Sequence, residues 1–169
     1  MSAFVPHPSM LPVEQLLGDC DVERLRRSGP GGQHRNKVET AVRITHRPSG
    51  VTAMASEQRS QSANLAQAVR RLKINLALHS RTPAGDVPSP LWRSRCADGR
   101  IHLNTRHADF PSLLAEALNT LQAAGWNLAA AADALGCTHS QLVKLLRQEP
   151  RAFAQLNRHR TAQNQNPYQ

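Results

Sequence analysis

Aromatic residues are scarce: three Phe, two Trp and one Tyr make up 4% of a 169-residue chain. A core with so few rings has to be filled by aliphatic side chains and alanine, and the length allows one ordinary domain or two small ones. Cysteine is just as thin. Cys20, Cys96 and Cys137 are odd in number, widely spaced and without a CxxC pair, which speaks against a disulfide framework or a zinc knuckle and for the cell interior. Long apolar runs are missing too: Pro6, Pro8 and Pro12 interrupt the N-terminal ones, and no cationic start precedes Phe4-Val5. The expectation is a soluble cytoplasmic protein without a membrane partner. His102, His107 and Cys96 lack ligand spacing, so neither a metal nor a cofactor is expected.

Acidic residues are also short, 12 against 21 Lys and Arg, for a net charge of +9 and a pI near 10.9. The excess is concentrated. Residues 21–82 carry twelve cations against four anions, while 113–169 reach only +2. A field of that sign and density attracts a polyanion such as RNA.

Along the chain, 1–20 reads as a proline-punctuated lead-in in which Val13, Leu16 and Leu17 allow a short helical turn. Asp21–Arg27 reads as a strand by elimination. Ala41–His46 alternates Val42 and Ile44 with Arg43 and Thr45, and Val51–Ser56 returns after the turn signal Pro48-Ser49-Gly50, which makes a hairpin. The period then changes to about 3.6: Leu65, Val69, Leu72 and Leu76 mark one face of a helix from about Ser60 to His79, with Ser60 or Ser62 as N-cap and Arg70, Arg71 and Lys73 pointing away. The expected fold is α+β, a small mixed or antiparallel sheet with one packed helix and a protruding loop.

That loop is the most specific stretch: Ser28-Gly29-Pro30-Gly31-Gly32-Gln33-His34-Arg35-Asn36-Lys37. Gly31 and Gly32 together permit positive φ and remove the Cβ atoms that would block close approach. Gln33 offers an amide, and Arg35 and Lys37 favour a phosphate-bearing partner. Asp21, Glu23 and Glu39 could act as an acid–base pair or simply balance Arg24, Arg26, Arg27 and Arg35. Ser28 and His34 have no orienting third group for nucleophilic catalysis.

Taken with Glu39-Thr40-Ala41-Val42-Arg43-Ile44-Thr45-His46, Pro48, Gly50 and Arg59-Ser60-Gln61, this loop resembles the catalytic domain of class I peptide chain release factors, over roughly residues 20–81. The family includes short proteins that rescue stalled ribosomes. The resemblance implies hydrolysis of the peptidyl-tRNA ester on the ribosome by Gly31, Gly32 and Gln33, with no cofactor. It implies contacts to large-subunit ribosomal RNA and tRNA from Arg35, Lys37, Arg43, Arg47, Arg59, Arg70 and Arg71. It also implies N5-methylation of Gln33 by a glutamine methyltransferase partner. Ser62 departs from the family, which often has a basic residue or histidine there. The lead-in before residue 21 is too short for a stop-codon-reading domain, and the C-terminus lacks the basic tail of the rescue proteins, so codon-independent release with a different sensing device is expected.

Residues 83–111, with four prolines and no sustained period, read as a linker or irregular extension anchored by Trp92, Ile101 and Leu103. Residues 112–160 read as helical: an amphipathic helix over Leu113–Leu121, a second over Leu128–Leu135 closed by Gly136, a turn Cys137-Thr138-His139-Ser140, and a third over Gln141–Arg147 stopped before Pro150. Arg151–Arg160 can extend the helical segment. This resembles a helix-turn-helix; a plain three-helix cap fits equally. Residues 161–169 are Asn/Gln-rich and expected to fray. Two functions follow: a ribosome-dependent peptidyl-tRNA hydrolase for release or rescue, or a non-enzymatic nucleic-acid-binding protein that uses the helix-turn-helix.

Overall fold

The computed structural model describes residues 5–26, 40–83 and 85–169. They divide into two compact units, Pro8–Ser80 and Arg81–Gln169, the latter joined by the N-terminal residues up to His7.

In the Pro8–Ser80 unit a short 3-10 turn, Pro8–Met10, precedes helix α1, Val13–Gly18. Strands β1 (Cys20–Leu25), β2 (Ala41–His46) and β3 (Thr52–Ala55) follow, and then helix α2 (Gln61–His79). Among the described residues, these three strands form one antiparallel sheet in the order β1-β2-β3. Register aligns Val22 with Ile44 and Ile44 with Ala53. Gly50 turns the hairpin at φ +69°, where a side chain would be strained, and its N–H donates to the His46 carbonyl at 2.8 Å.

Side chains alternate across the sheet, so β2 turns Val42 and Ile44 to one face and Arg43 to the other. α2 covers the apolar face. The core joins Leu16, Val42, Ile44, Ala53, Ala55, Ala68, Val69, Leu72 and Leu76. Ser60 is the N-cap of α2, accepting from the Ala63 N–H at 3.1 Å.

Two features differ from the sequence reading. The buried stripe of α2 is rotated, so that Asn64 and Ala68 are buried while Leu65 is half-buried. And two cations expected to point to solvent bond back to the protein. Lys73 donates to the Leu11 carbonyl at 2.7 Å, and Arg71 to the Met54 carbonyl at 2.7 Å. With Asn75 on the Thr52 carbonyl at 2.8 Å, Arg71 occupies the outward-facing carbonyls of β3 and blocks that sheet edge against further pairing.

The Arg81–Gln169 unit contains α3 (Pro90–Arg95), a two-stranded hairpin of β4 (Cys96–Ala97) and β5 (Arg100–Ile101), and helices α4 (Phe110–Ala123), α5 (Leu128–Leu135), α6 (His139–Arg147) and α7 (Pro150–Ala162). Residues 83–111 are thus more structured than their prolines suggested. Pro90 sits in the first turn of α3, where its missing N–H costs nothing, and Trp92 is completely buried.

α4 is not merely amphipathic: every residue from Phe110 to Leu121 is buried. Its polar members are satisfied. Glu116 accepts from the Ser89 N–H and hydroxyl at 2.7 and 2.6 Å, Asn119 pairs with Thr82 at 3.0 Å, and Thr120 donates to the Glu116 carbonyl at 2.8 Å. Burial raises the Glu116 pKa, and the two Ser89 donors oppose the shift.

Gly136 ends α5 in the left-handed conformation, φ +65°. Thr138 caps α6, so α6 begins at His139, inside the expected turn. Pro150, which stops the preceding helix, also starts α7. The C-terminal residues expected to fray fold back on α7: Asn157 exchanges hydrogen bonds with the Tyr168 backbone at 3.0 and 2.8 Å, and Arg160 lies 4.0 Å from the Tyr168 ring centroid. Two polar partners and a cation–π contact hold what composition alone reads as tail.

All three cysteines are free thiols, and burial pushes Cys137 up to about 12, which keeps it protonated and unreactive.

Leu72 has no exposed surface and sits between α2 and the sheet. Leu72→Ala is expected to cost about 2–5 kcal/mol of stability in urea unfolding, from lost burial and the residual cavity.

Candidate functional site

Gly31, Gly32, Gln33, Arg35 and Lys37 lie in 27–39, outside the described residues. The frame around them is described. β1 ends at Leu25 and β2 begins at Ala41, and these two residues face each other across the antiparallel pair. The connection between them therefore leaves and returns at the same end of the sheet.

Asn64, fully buried at the start of α2, sits at the return point. Its Nδ2 donates to the Thr40 carbonyl at 2.6 Å and to the Gln58 carbonyl at 3.0 Å, while its Oδ1 accepts from the Gln58 N–H at 2.9 Å. Reading the sequence for apolar period passed over this residue. The available signal was its spacing: Asn64, Ala68 and Leu72 are four apart, so a polar side chain occupies a core position of the helix.

The described cations predicted to meet RNA fall into separate groups. Arg43 stands on the face of the sheet opposite α2, 3.5 Å from Glu23, its register partner. Arg47, just past β2, donates to Asp21 at 2.8 Å, to the Cys20 carbonyl at 2.9 Å and to the Gly18 carbonyl. It thereby staples the α1–β1 corner. Arg59 is exposed in the β3–α2 connection and Arg70 is half-buried on α2. Arg71 binds Glu57 at 2.8 Å, and this bond, with help from the backbone N–H groups of Glu57 and Ser56, lowers the Glu57 pKa.

Asp21 and Glu23 each have an arginine partner and are exposed. Their arrangement is charge balance rather than an acid–base pair, and such surface pairs contribute about 0–1 kcal/mol each. His46 is a second residue that pattern reading did not single out. It is 3% exposed, and its Nδ1 lies 2.7 Å from the Ser49 hydroxyl.

Comparison with known proteins bears on what this frame carries. The family profile of the RF-1 domain matches residues 14–89, a span that includes β1, β2, β3, α2 and the connection containing Gly31-Gly32-Gln33. Over that span the chain is similar to the class I peptide chain release factors. It is 37% identical over 109 residues to peptide chain release factor 1 of Rhodospirillum rubrum, covering 64% of this chain and 31% of that protein. To peptide chain release factor 1 of Granulibacter bethesdensis it is 40% identical over 103 residues, 61% of this chain and 27% of the relative. The chain thus spans less than a third of the length of the curated relatives it matches. The RF-1 profile ends at residue 89, just before α3, whereas the alignments with the relatives, over 103–109 residues, cover more of the chain than the profile does.

Within the matched span, burial depresses the His46 pKa, partly opposed by Asp19. The unfolded chain therefore binds the proton more readily than the folded one. The neutral imidazole contributes its full stability above about pH 6.5, and this is lost as pH falls below that value. Thermal melts of the wild type are expected to show a lower midpoint at pH 5.5 than at pH 7.5. His46→Gln should show a smaller drop. Part of the drop should persist through His159, whose pKa is also lowered, chiefly by burial.

Proposed function

We propose that the chain is a ribosome-dependent peptidyl-tRNA ester hydrolase of the cytoplasm that acts in rescue of stalled ribosomes without reading a codon. The observation that carries this reading is the RF-1 domain match over 14–89, with Gly31-Gly32-Gln33 inside the β1–β2 connection. The ester between peptide and tRNA is activated, so a protein need supply only position, a water site and stabilisation of developing negative charge. Water oxygen bonds to the ester carbonyl carbon, and the tRNA 3′ oxygen leaves and takes up a proton. The Gln33 backbone N–H is the donor to the developing oxyanion, Gly31 and Gly32 let that backbone come close, and the Gln33 side chain shapes the water site. N5-methylation of Gln33 by a glutamine methyltransferase would add apolar contact there.

Arg35, Lys37, Arg43, Arg59 and Arg70 would meet ribosomal RNA and tRNA phosphates, which orients the domain without sequence readout. Arg47 and Arg71 serve the fold first, through Asp21 and Glu57. The helical unit, with α5 and α6 as a helix-turn-helix, would choose the ribosome or a partner. One observation favours this division: the RF-1 family profile spans residues 14–89 and does not include α4 to α7.

The test is release of labelled peptide from ribosomes holding a stop codon, a sense codon or a truncated mRNA. Release from the truncated complex at rates independent of the codon is expected, and Gly32→Ala should lower it by about 10²–10³-fold. Equal release by Gly32→Ala would remove the enzymatic reading. Arg59→Ala should weaken ribosome binding and reduce its salt dependence by about one phosphate contact.

A further inference from the structure

We infer that Asn64 is a positioning residue for this hydrolysis, fixing through the Thr40 carbonyl the point at which the chain carrying Gln33 re-enters the sheet; the inference rests on the reading just proposed.

α2 buries an otherwise aliphatic stripe, Ala68, Val69, Leu72 and Leu76. A leucine at position 64 would gain burial free energy that an amide gives up. The amide instead uses both its N–H groups and its oxygen. Its orientation follows from its partners: Nδ2 faces two carbonyls and Oδ1 faces an N–H, so the flipped amide would satisfy none of them. All three partners are backbone atoms, so no rotamer change can relieve the loss of one.

The partners also lie in distant parts of the sequence. Thr40 directly precedes β2 and ends the β1–β2 connection. Gln58 lies between β3 and α2, next to Arg59, a proposed RNA contact. Asn64 therefore ties the return of the catalytic segment to the segment that would grip RNA. A transition-state donor misplaced by about 1 Å can cost 10²-fold in rate without weakening binding of the rest of the protein. Holding that geometry requires just such support behind the reacting groups.

The deciding variant is Asn64→Asp, which keeps the shape and the acceptor for the Gln58 N–H but loses both donors to Thr40 and Gln58. In peptide release from truncated-mRNA ribosomes at pH 7.5, its kcat is expected to fall about 10–100-fold, with KM for the ribosomal complex within about twofold of wild type. Its carboxyl, facing two carbonyls in a buried site, takes up a proton more readily than usual and then regains one donor. Its rate relative to wild type should therefore rise as pH falls from 8 to 6. Leu65→Ala, a neighbouring truncation that leaves the three hydrogen bonds in place, should keep wild-type kcat.

A folded Asn64→Asp with wild-type kcat, or with losses in kcat matched by Leu65→Ala, overturns the inference. So does a variant unfolded at both pH 6 and pH 7.5, which would make Asn64 a folding residue. If the wild type releases no peptide, the proposed function has failed, and the anchor is then judged by NMR. Backbone amide shifts of residues 30–38 should move in Asn64→Asp and stay in Leu65→Ala; unmoved shifts in Asn64→Asp overturn it.

Discussion

The Pro8–Ser80 unit depends on one helix covering one face of a small antiparallel sheet. Val42, Ile44, Ala53 and Ala55 are apolar on the side that meets α2, and the pleat then forces Arg43 and Met54 to the opposite side, where both are exposed. An antiparallel sheet tolerates water on that side, where the half-exposed Arg43 side chain pairs with Glu23. The same arrangement leaves a free edge at β3, which α2 closes with Arg71 and Asn75 rather than with another strand. A single helix thus supplies the core, the edge protection and, through Asn64, the anchor at the sheet end where the glycine-bearing connection returns.

Both units use the same device to hold distant segments in register: a polar side chain placed in a buried helix face and bonded to backbone or hydroxyl groups elsewhere. Asn64 does this for Thr40 and Gln58, Glu116 for Ser89, and Asn119 for Thr82. Apolar contacts are non-directional and tolerate sliding, whereas an unsatisfied buried amide or carboxylate costs about 1–3 kcal/mol or more. Such side chains therefore select one alignment among several that would bury similar area. In the Arg81–Gln169 unit α4 is buried from Phe110 to Leu121, so its polar stripe of Glu116, Asn119 and Thr120 is bonded to protein groups rather than to water.

Much of the secondary structure was legible in the sequence. The alternation in Ala41–His46, the turn at Pro48-Ser49-Gly50, the 3.6 period after Ser60 and the glycine stop at Gly136 each report a local rule, and each has its counterpart in β2, the β2–β3 turn, α2 and the end of α5. Residues 83–111 and 161–169 are more ordered than their composition suggests, because contacts rather than composition hold them. Prolines can open a helix as well as break one, and Asn-rich ends stay loose only when nothing meets them. Arg71 and Lys73 show the same limit: long side chains project away from a helix in sequence arithmetic but reach back to a carbonyl when one is near.

The glycine pair, the amide between cations and the concentration of positive charge on residues 21–82 are properties of covalent order, so the sequence by itself determined the resemblance to release factors, the chemistry to test and the sign of the chain's own field. Tertiary structure alone decided which arginines are already engaged, which face of α2 is buried and why an asparagine sits there. Each of those depends on distances between residues tens of positions apart, as Arg47 meets Gly18 and Asn64 meets Thr40. No local pattern encodes such distances; they arise only when the sheet and helix close on each other.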